Sequence, residues 1–229
     1  LFQAASISKS LNGVGVLRLV QDKRLDLNAD INSYLKSWRF PYDTVSHGKT
    51  ISVAHLLSHT AGLTVHGFAG YEPGDTIPTL QQVLDGKPPA NSDSVRSMFE
   101  PGLRFTYSGG GTSISQQIVQ DITGQPYHVY MRQVPDAMGM TTSTYEQPPP
   151  AAKAGLLSYG YRGNGEVVKD NYNVYPEQAA AGLWTNPTEL AQYIIETQLA
   201  LEGKSSKVLN QEMTRLRLTP YIYSNAALG

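Results

Sequence analysis

The chain's 229 residues, 40% of them hydrophobic and 16% charged, can bury a core of ordinary domain size. Lys plus Arg number 18 and Asp plus Glu 19, so the formal charge of −1 leaves no basic surplus for nucleic acid and no acidic tail. There is no cysteine, which excludes disulfides, thiolate catalysis and cysteine-bound zinc, and no apolar run approaches the ~18 residues of a membrane-spanning helix.

In chain order, Leu11, Val14, Leu17 and Val20 recur at helical spacing and predict a helix from Ser6 to about Arg24. Gly13 and Gly15 weaken that helix or allow something to pack closely on it. LDLNADINSYL reads as a short helical piece. HGKTISVAHLLSHTAGL predicts a helix near residues 52 to 58, closed by Gly62 as a C-cap. Residues 64 to 78 form a loop rich in glycine and aromatics, and TLQQVLDG is a brief helix. An extended piece is expected from Arg104 to Tyr107, then a helix through Ile114, Ile118 and Ile122 that ends at Gly124. The prolines of QPPPAAKAG predict an irregular connection. SYGYRGNGEVVKDNYNVY alternates about a Gly-Asn-Gly turn and predicts a hairpin. NPTELAQYIIETQLALEG predicts a helix capped by Asn186, with Pro187 in its first turn and Glu189 completing a box-like start. Helix dominates and strand is scarce.

Ser-x-x-Lys occurs at Ser6–Lys9, Ser33–Lys36 and Ser46–Lys49. In DINSYLKSW the apolar residues Ile31, Tyr34 and Leu35 take the buried side, which leaves Ser33 and Lys36 solvated. Ser46–Lys49 lies in a loop that gives a nucleophile no rigid support. Ser6 instead stands at the mouth of an amphipathic helix, with Lys9 one turn on along the same face. The free N–H groups and partial positive charge of a helix start favour a developing alkoxide. A lysine without its proton can take the serine's, which an ammonium cannot. The plainer alternative is a serine N-cap followed by a solvated lysine.

Several strings in order break that tie. AASISKSLNGVGVLRLVQDKRLDLNADINSYL resembles the nucleophile helix of the serine β-lactamase and penicillin-binding-protein family, in the branch of class C β-lactamases, esterases and D-aminopeptidases. ISVAHLLSHTAGL, FEPGLRFTYSGGGTSISQQIVQDITGQPY and AAAGLWTNPTELAQYI are similar to later segments of that branch. The resemblance implies an α+β, β-lactamase/DD-peptidase-like fold over residues 1–229 as one domain, with this chain holding mainly the helical lobe and little of the central antiparallel sheet. It makes Ser6 the acylated nucleophile, Lys9 its proton partner and Tyr107 the residue that shares proton transfer and serves the leaving group. It implies a small-molecule or peptide substrate and no cofactor or metal.

Two departures qualify the match. Where the family often has Asn, to bind a substrate amide, Tyr107-Ser108 is followed by Gly109. Ester or small amide substrates are therefore expected over β-lactams, with Gly109, Ser108, Trp184 and Phe68 as substrate-side candidates; the aromatics Phe68, Tyr71 and Trp184 read equally as pocket wall or as core. The family's Lys-Thr-Gly or His-x-Gly strand has no counterpart after Tyr107, so one oxyanion-hole donor is missing and low activity is expected of this chain alone. It begins at Leu1 without Met or a signal segment, and a start inside a longer gene product is expected, with the remainder as its partner. A periplasmic or secreted location is the expectation. His55 and His59, with His66 beyond, raise a zinc alternative, but position 56 is Leu where a zinc protease has Glu. No Gly-x-Ser-x-Gly elbow exists. A penicillin-binding or sensor protein, acylated without turnover, is the other class.

Overall fold

In the computed structural model, which describes residues 1–222, helices carry most of the ordered backbone and no helix is long and apolar enough to cross a membrane. A two-residue strand β1 (Phe2–Gln3) leads into a 3₁₀ turn, Ala5–Ile7, and then helix α1 (Ser8–Gln21). The helix thus starts two residues after the predicted Ser6, because Ala5 takes left-handed backbone (φ 44°) and bends the chain just before it. Leu11, Val14, Leu17 and Leu19 are buried. Gly15 is a close-approach site: a Cβ there would stand 2.3 Å from Met131 Sδ. Gly13 meets nothing within 4 Å.

The helical piece expected in LDLNADINSYL shrinks to a 3₁₀ turn at Ile31–Ser33. Asp26 and Asp30 accept the N–H groups of Asn28 and Asn32, and such local side-chain bonds compete with a helix. Helix α2 (Val53–Leu57) opens with a capping box between Ser52 and His55. Gly62 does not cap it. The helix stops at Ser58, and His59 takes the left-handed turn (φ 56°) instead. Helix α3 (Leu80–Asp85) has its own box, Thr79 with Gln82.

Residues Phe105 to Ser108 run extended but form no ladder. Helix α4 (Gly109–Thr123) includes the three glycines, starting earlier than the sequence predicts, because Ser108 caps it and accepts Gly111 N–H at 2.9 Å. Gly124 closes it in left-handed backbone, as expected. Helices α5 (Tyr127–Met131) and α6 (Gln133–Ala137) follow. A wholly buried polar chain ties three elements: Tyr127 Oη donates to Asn12 Oδ1 (2.9 Å) and Asn12 Nδ2 to Ser115 Oγ (3.0 Å).

The proline-rich connection contains one 3₁₀ stretch, Ala151–Leu156. The expected hairpin survives as a single antiparallel bridge, Tyr161 to Val167, about the glycine turn. Helix α7 (Gln178–Ala181) precedes strand β2 (Trp184–Thr185), which pairs antiparallel with β1, Phe2 opposite Thr185. This pairing across the whole chain has no local sequence signal. Helix α8 (Pro187–Leu201) is capped by Asn186 as predicted, but Glu189 does not complete the box. Its carboxylate reaches away to accept from the N–H and hydroxyl groups of Thr142 and Ser143. Burial alone would push that carboxyl up; the bonds from Ser143 and Thr142 outweigh it and hold it below its ordinary value. Helix α9 (Gln211–Leu218), capped by Asn210, was not predicted, its polar sequence showing no apolar period. Helix α1 sits at the centre, against α4, α7 and α9.

Candidate active site

Ser6 lies in the turn that feeds α1, exposed, at the end of a clamp the sequence does not advertise. Ser8 is wholly buried. Its hydroxyl donates to Ala5 O (2.5 Å) and accepts Leu183 N–H (3.0 Å), while its carbonyl accepts from Tyr145 Oη (2.6 Å). Ala4 N–H adds a bond to Leu183 O at 2.9 Å. Left-handed backbone at a non-glycine residue such as Ala5 costs ~1–3 kcal/mol and persists only where surroundings over-determine it. Ser8, Leu183 and Tyr145 supply that constraint.

Lys9 and Tyr107 converge on Ser6. Lys9 Nζ donates to Ser6 Oγ at 3.0 Å and to Ala180 O, on α7, at 2.7 Å. Tyr107 Oη donates to the same Ser6 Oγ at 2.7 Å. The Lys9 ammonium also lies 4.9 Å from the centroid of the Tyr107 ring, within cation–π range. A serine oxygen between an amine and a phenol has a proton partner on each of two sides, which is the arrangement an acyl transfer uses twice. The other two pairs are not so placed. Ser46 Oγ donates to Asp43 O while Lys49 pairs with Glu100, and no hydrogen bond joins Ser33 to Lys36 among the described residues.

Tyr107 is held by loop backbone and two histidines. His59 Nδ1 accepts Ser108 N–H at 3.2 Å, and its ring lies 4.5 Å from the Tyr107 ring at an interplanar angle of 36°. His66 Nδ1 is 2.5 Å from Tyr107 O; because a carbonyl only accepts, that nitrogen carries the proton. Burial, then the Lys9 charge, holds the His59 imidazole down at about 4, so it is neutral at physiological pH. Sequence reasoning weighed His59 only as a zinc ligand, whereas its reading of His55 as a core or capping residue agrees with the box that His55 forms with Ser52. The helix ends before His59, so His55 and His59 do not share a helix face, and each spends Nδ1 on a backbone N–H.

Of the substrate-side candidates, the structure gives Ser108 and Trp184 other work. Ser108 Oγ is buried, caps α4 and donates its one proton to Thr64 O at 2.9 Å, so it has no proton to offer a ligand. Trp184 is 0% exposed, packed edge-on against Tyr172 as core. Gly109 and Phe68 do come together. A Cβ on Gly109 would stand 3.0 Å from the half-buried Phe68 ring, so the ring occupies the space a side chain at 109 would enter.

Beyond Lys9, along the same stripe of α1, a groove of about 650 Å³ runs past Gly13 and Leu17 to Phe105, Leu216 and Leu218. Glu177 precedes α7, the helix whose Ala180 O holds Lys9, with both carboxylate oxygens buried and unpartnered among the described residues. Burial pushes its carboxyl up to about 7.

A family model described as Beta-lactamase matches residues 1–225. Protein flp of Staphylococcus aureus (strain N315) is 25% identical over 226 residues, 95% of this chain and 42% of that protein. A penicillin-binding protein from Bacillus halodurans superposes with a TM-score of 0.71 at 19% identity, covering 97% of this chain and 66% of its own. The D-amino acid amidase of Ochrobactrum anthropi SV3, complexed with L-phenylalanine, superposes at 0.69 with 22% identity, covering 93% of this chain and 57% of its own. The chain spans about half the length of the curated relatives it matches.

Proposed function

The chain belongs to the beta-lactamase family, with its α+β fold, and on that premise we propose that it carries the acyl-transfer site of a serine hydrolase. One observation carries the reading: Ser6 Oγ accepts from Lys9 Nζ at 3.0 Å and from Tyr107 Oη at 2.7 Å. The attacking form is the one in which the Tyr107 oxygen has given its proton to solvent and Lys9 stays an ammonium beside it; Ser6 Oγ then attacks the substrate carbonyl as its proton passes to that Tyr107 oxygen. The tetrahedral intermediate collapses when Tyr107 delivers a proton to the departing alkoxide or amine. Water, relieved of a proton by the same Tyr107 oxygen, then releases the acid and restores Ser6. The Ser6 N–H, in the 3₁₀ turn that feeds α1, is one donor for the oxyanion.

An ester with an apolar acyl group is the favoured substrate class. Gly109 offers no amide to hydrogen-bond a substrate, and the Phe68 ring supplies an apolar wall where that side chain would extend. An uncharged wall of this kind gains from burying alkyl or aryl surface and leaves a substrate amide unpaired. The groove beside Lys9 and Gly13, with Leu216 and Leu218 about half exposed on its rim, supports a further reading: the chain works as part of a longer polypeptide that covers this face.

Burst kinetics on the full-length protein test the proposal. With p-nitrophenyl butyrate, wild type releases a stoichiometric burst of nitrophenolate and then turns over, while Ser6→Ala does neither. A chromogenic cephalosporin reacts far more slowly. A burst with no turnover makes the protein an acylated sensor rather than a hydrolase. An equal rate in Ser6→Ala rejects the site.

A further inference from the structure

We propose that His59 is a positioning residue for Tyr107, one whose carbonyl and imidazole together set the phenol beside Ser6. The proposal rests on the reading of Ser6, Lys9 and Tyr107 as the acyl-transfer site.

His59 holds the chain on both sides of the tyrosine. Its carbonyl accepts Thr106 N–H at 2.7 Å and its Nδ1 accepts Ser108 N–H at 3.2 Å. One residue therefore takes the backbone donor before Tyr107 and the one after it. Left-handed backbone makes this possible: the reversal after α2 turns the carbonyl and the side chain of His59 toward the same extended segment. Few side chains accept that conformation readily, and His, Asn and Asp are enriched in it. The imidazole then lies against the phenol, 4.5 Å between centroids, with Phe105 edge-on against it at 5.9 Å. His66 fixes the Tyr107 carbonyl from the opposite loop.

The grip needs a free lone pair on Nδ1. The groups facing His59 are Lys9 from α1, Tyr107 on the extended segment and, beyond the Tyr107 carbonyl, His66. Burial and the Lys9 charge both disfavour the imidazolium, which keeps that lone pair available. A protonated ring would turn a donor against Ser108 N–H and set a second cation near Lys9.

Two variants separate positioning from packing. His59→Phe keeps the backbone carbonyl and an aromatic ring against Tyr107, but its side chain accepts nothing from Ser108 N–H. His59→Asn loses the ring, yet tolerates left-handed backbone and offers Oδ1 to Ser108 N–H. Hydrolysis of p-nitrophenyl butyrate by the full-length protein is measured for both, with near-UV circular dichroism to normalise for folded protein. Misplacing a reacting group by ~1 Å costs about 10²-fold, so His59→Phe should lose about that factor in kcat with KM little changed. His59→Asn should recover most of it. Wild-type kcat in folded His59→Phe overturns the proposal, as does a folded His59→Asn no faster than His59→Phe. The control is Ser6→Ala: if it hydrolyses the ester like wild type, the site assignment fails instead.

Discussion

The two arms of the proposed acyl-transfer site are built differently. The nucleophile arm is a strained turn tied down by buried groups: Ser8 at 0% exposure, Tyr145 at 2% and the Leu183 backbone bind it, and Ala180 O holds Lys9. The tyrosine arm is an extended segment on the surface, beside Leu103 and Phe105 at 62% and 43% exposure, and two histidines with loop backbone hold it. Buried hydrogen bonds are costly to leave half-made, whereas an exposed segment can exchange a partner for water. The nucleophile arm should therefore fail through loss of stability, and the tyrosine arm through loss of rate in a protein that stays folded.

The largest expected effect is chemical and common to both arms. Lys9→Ala and Tyr107→Phe should each slow acylation by about 10²–10⁴-fold, the usual worth of a positioned proton carrier, with melting temperature nearly unchanged for Tyr107→Phe. Stopped-flow nitrophenolate release measures it, and a wild-type rate in either variant breaks the symmetry between the arms.

Next in size is Glu189→Gln. It weakens acceptance at the Thr142–Ser143 segment that leads to Tyr145, and a loss on the order of 3 kcal/mol is expected in urea melts at pH 7. The Glu189 carboxyl is held below its ordinary value, so its contribution is present above pH ~4.5 and fades as pH falls further. Wild type and variant should converge in acid. His59 acts in the same direction: held at about 4, it favours the folded state above its ordinary 6.5 and loses that contribution as pH falls toward 4.

Ser8→Ala should cost about 1–3 kcal/mol, since Leu183 N–H is left without its acceptor. Acylation should slow with it, because the turn at Ala5 loses its clamp. Glu177→Gln should do the reverse. Burial raises the Glu177 carboxyl to about 7, so the neutral form is tolerated below pH ~4.5 and ionisation works against folding as pH rises through 7. The variant should be more stable than wild type by on the order of 2 kcal/mol at pH 8, with the gap closing by pH 5. Thermal melts at the two pH values show it.

The same contrast explains what could be read in the sequence. The periodicity of Leu11, Val14 and Leu17, the Asn186–Pro187 cap and Gly124 are local signals, and the helices they mark are present. Ser6, Lys9 and Tyr107 were legible because their order along the chain matches a family. Their supports were not. Ser8 reads as one serine among many until Leu183 and Tyr145 are folded onto it from more than 130 residues away. His59 drew attention for a spacing that its own left-handed backbone cancels. Trp184 reads equally as pocket wall or core, because an aromatic in a matching segment says nothing about which side of a sheet it takes; it is core. Ser108 shows the same limit: a cap and a substrate donor are the same residue type until Gly111 N–H is seen on its hydroxyl.

The central claim is that one serine of three candidates is the nucleophile. The full-length protein, treated with a fluorophosphonate and analysed by intact mass and peptide mapping, tests it most directly. A single adduct on the peptide containing Ser6, absent from Ser6→Ala and slowed in Lys9→Ala, is the predicted result. An adduct mapping to Ser33 or Ser46, or labelling unchanged in Ser6→Ala, would contradict it.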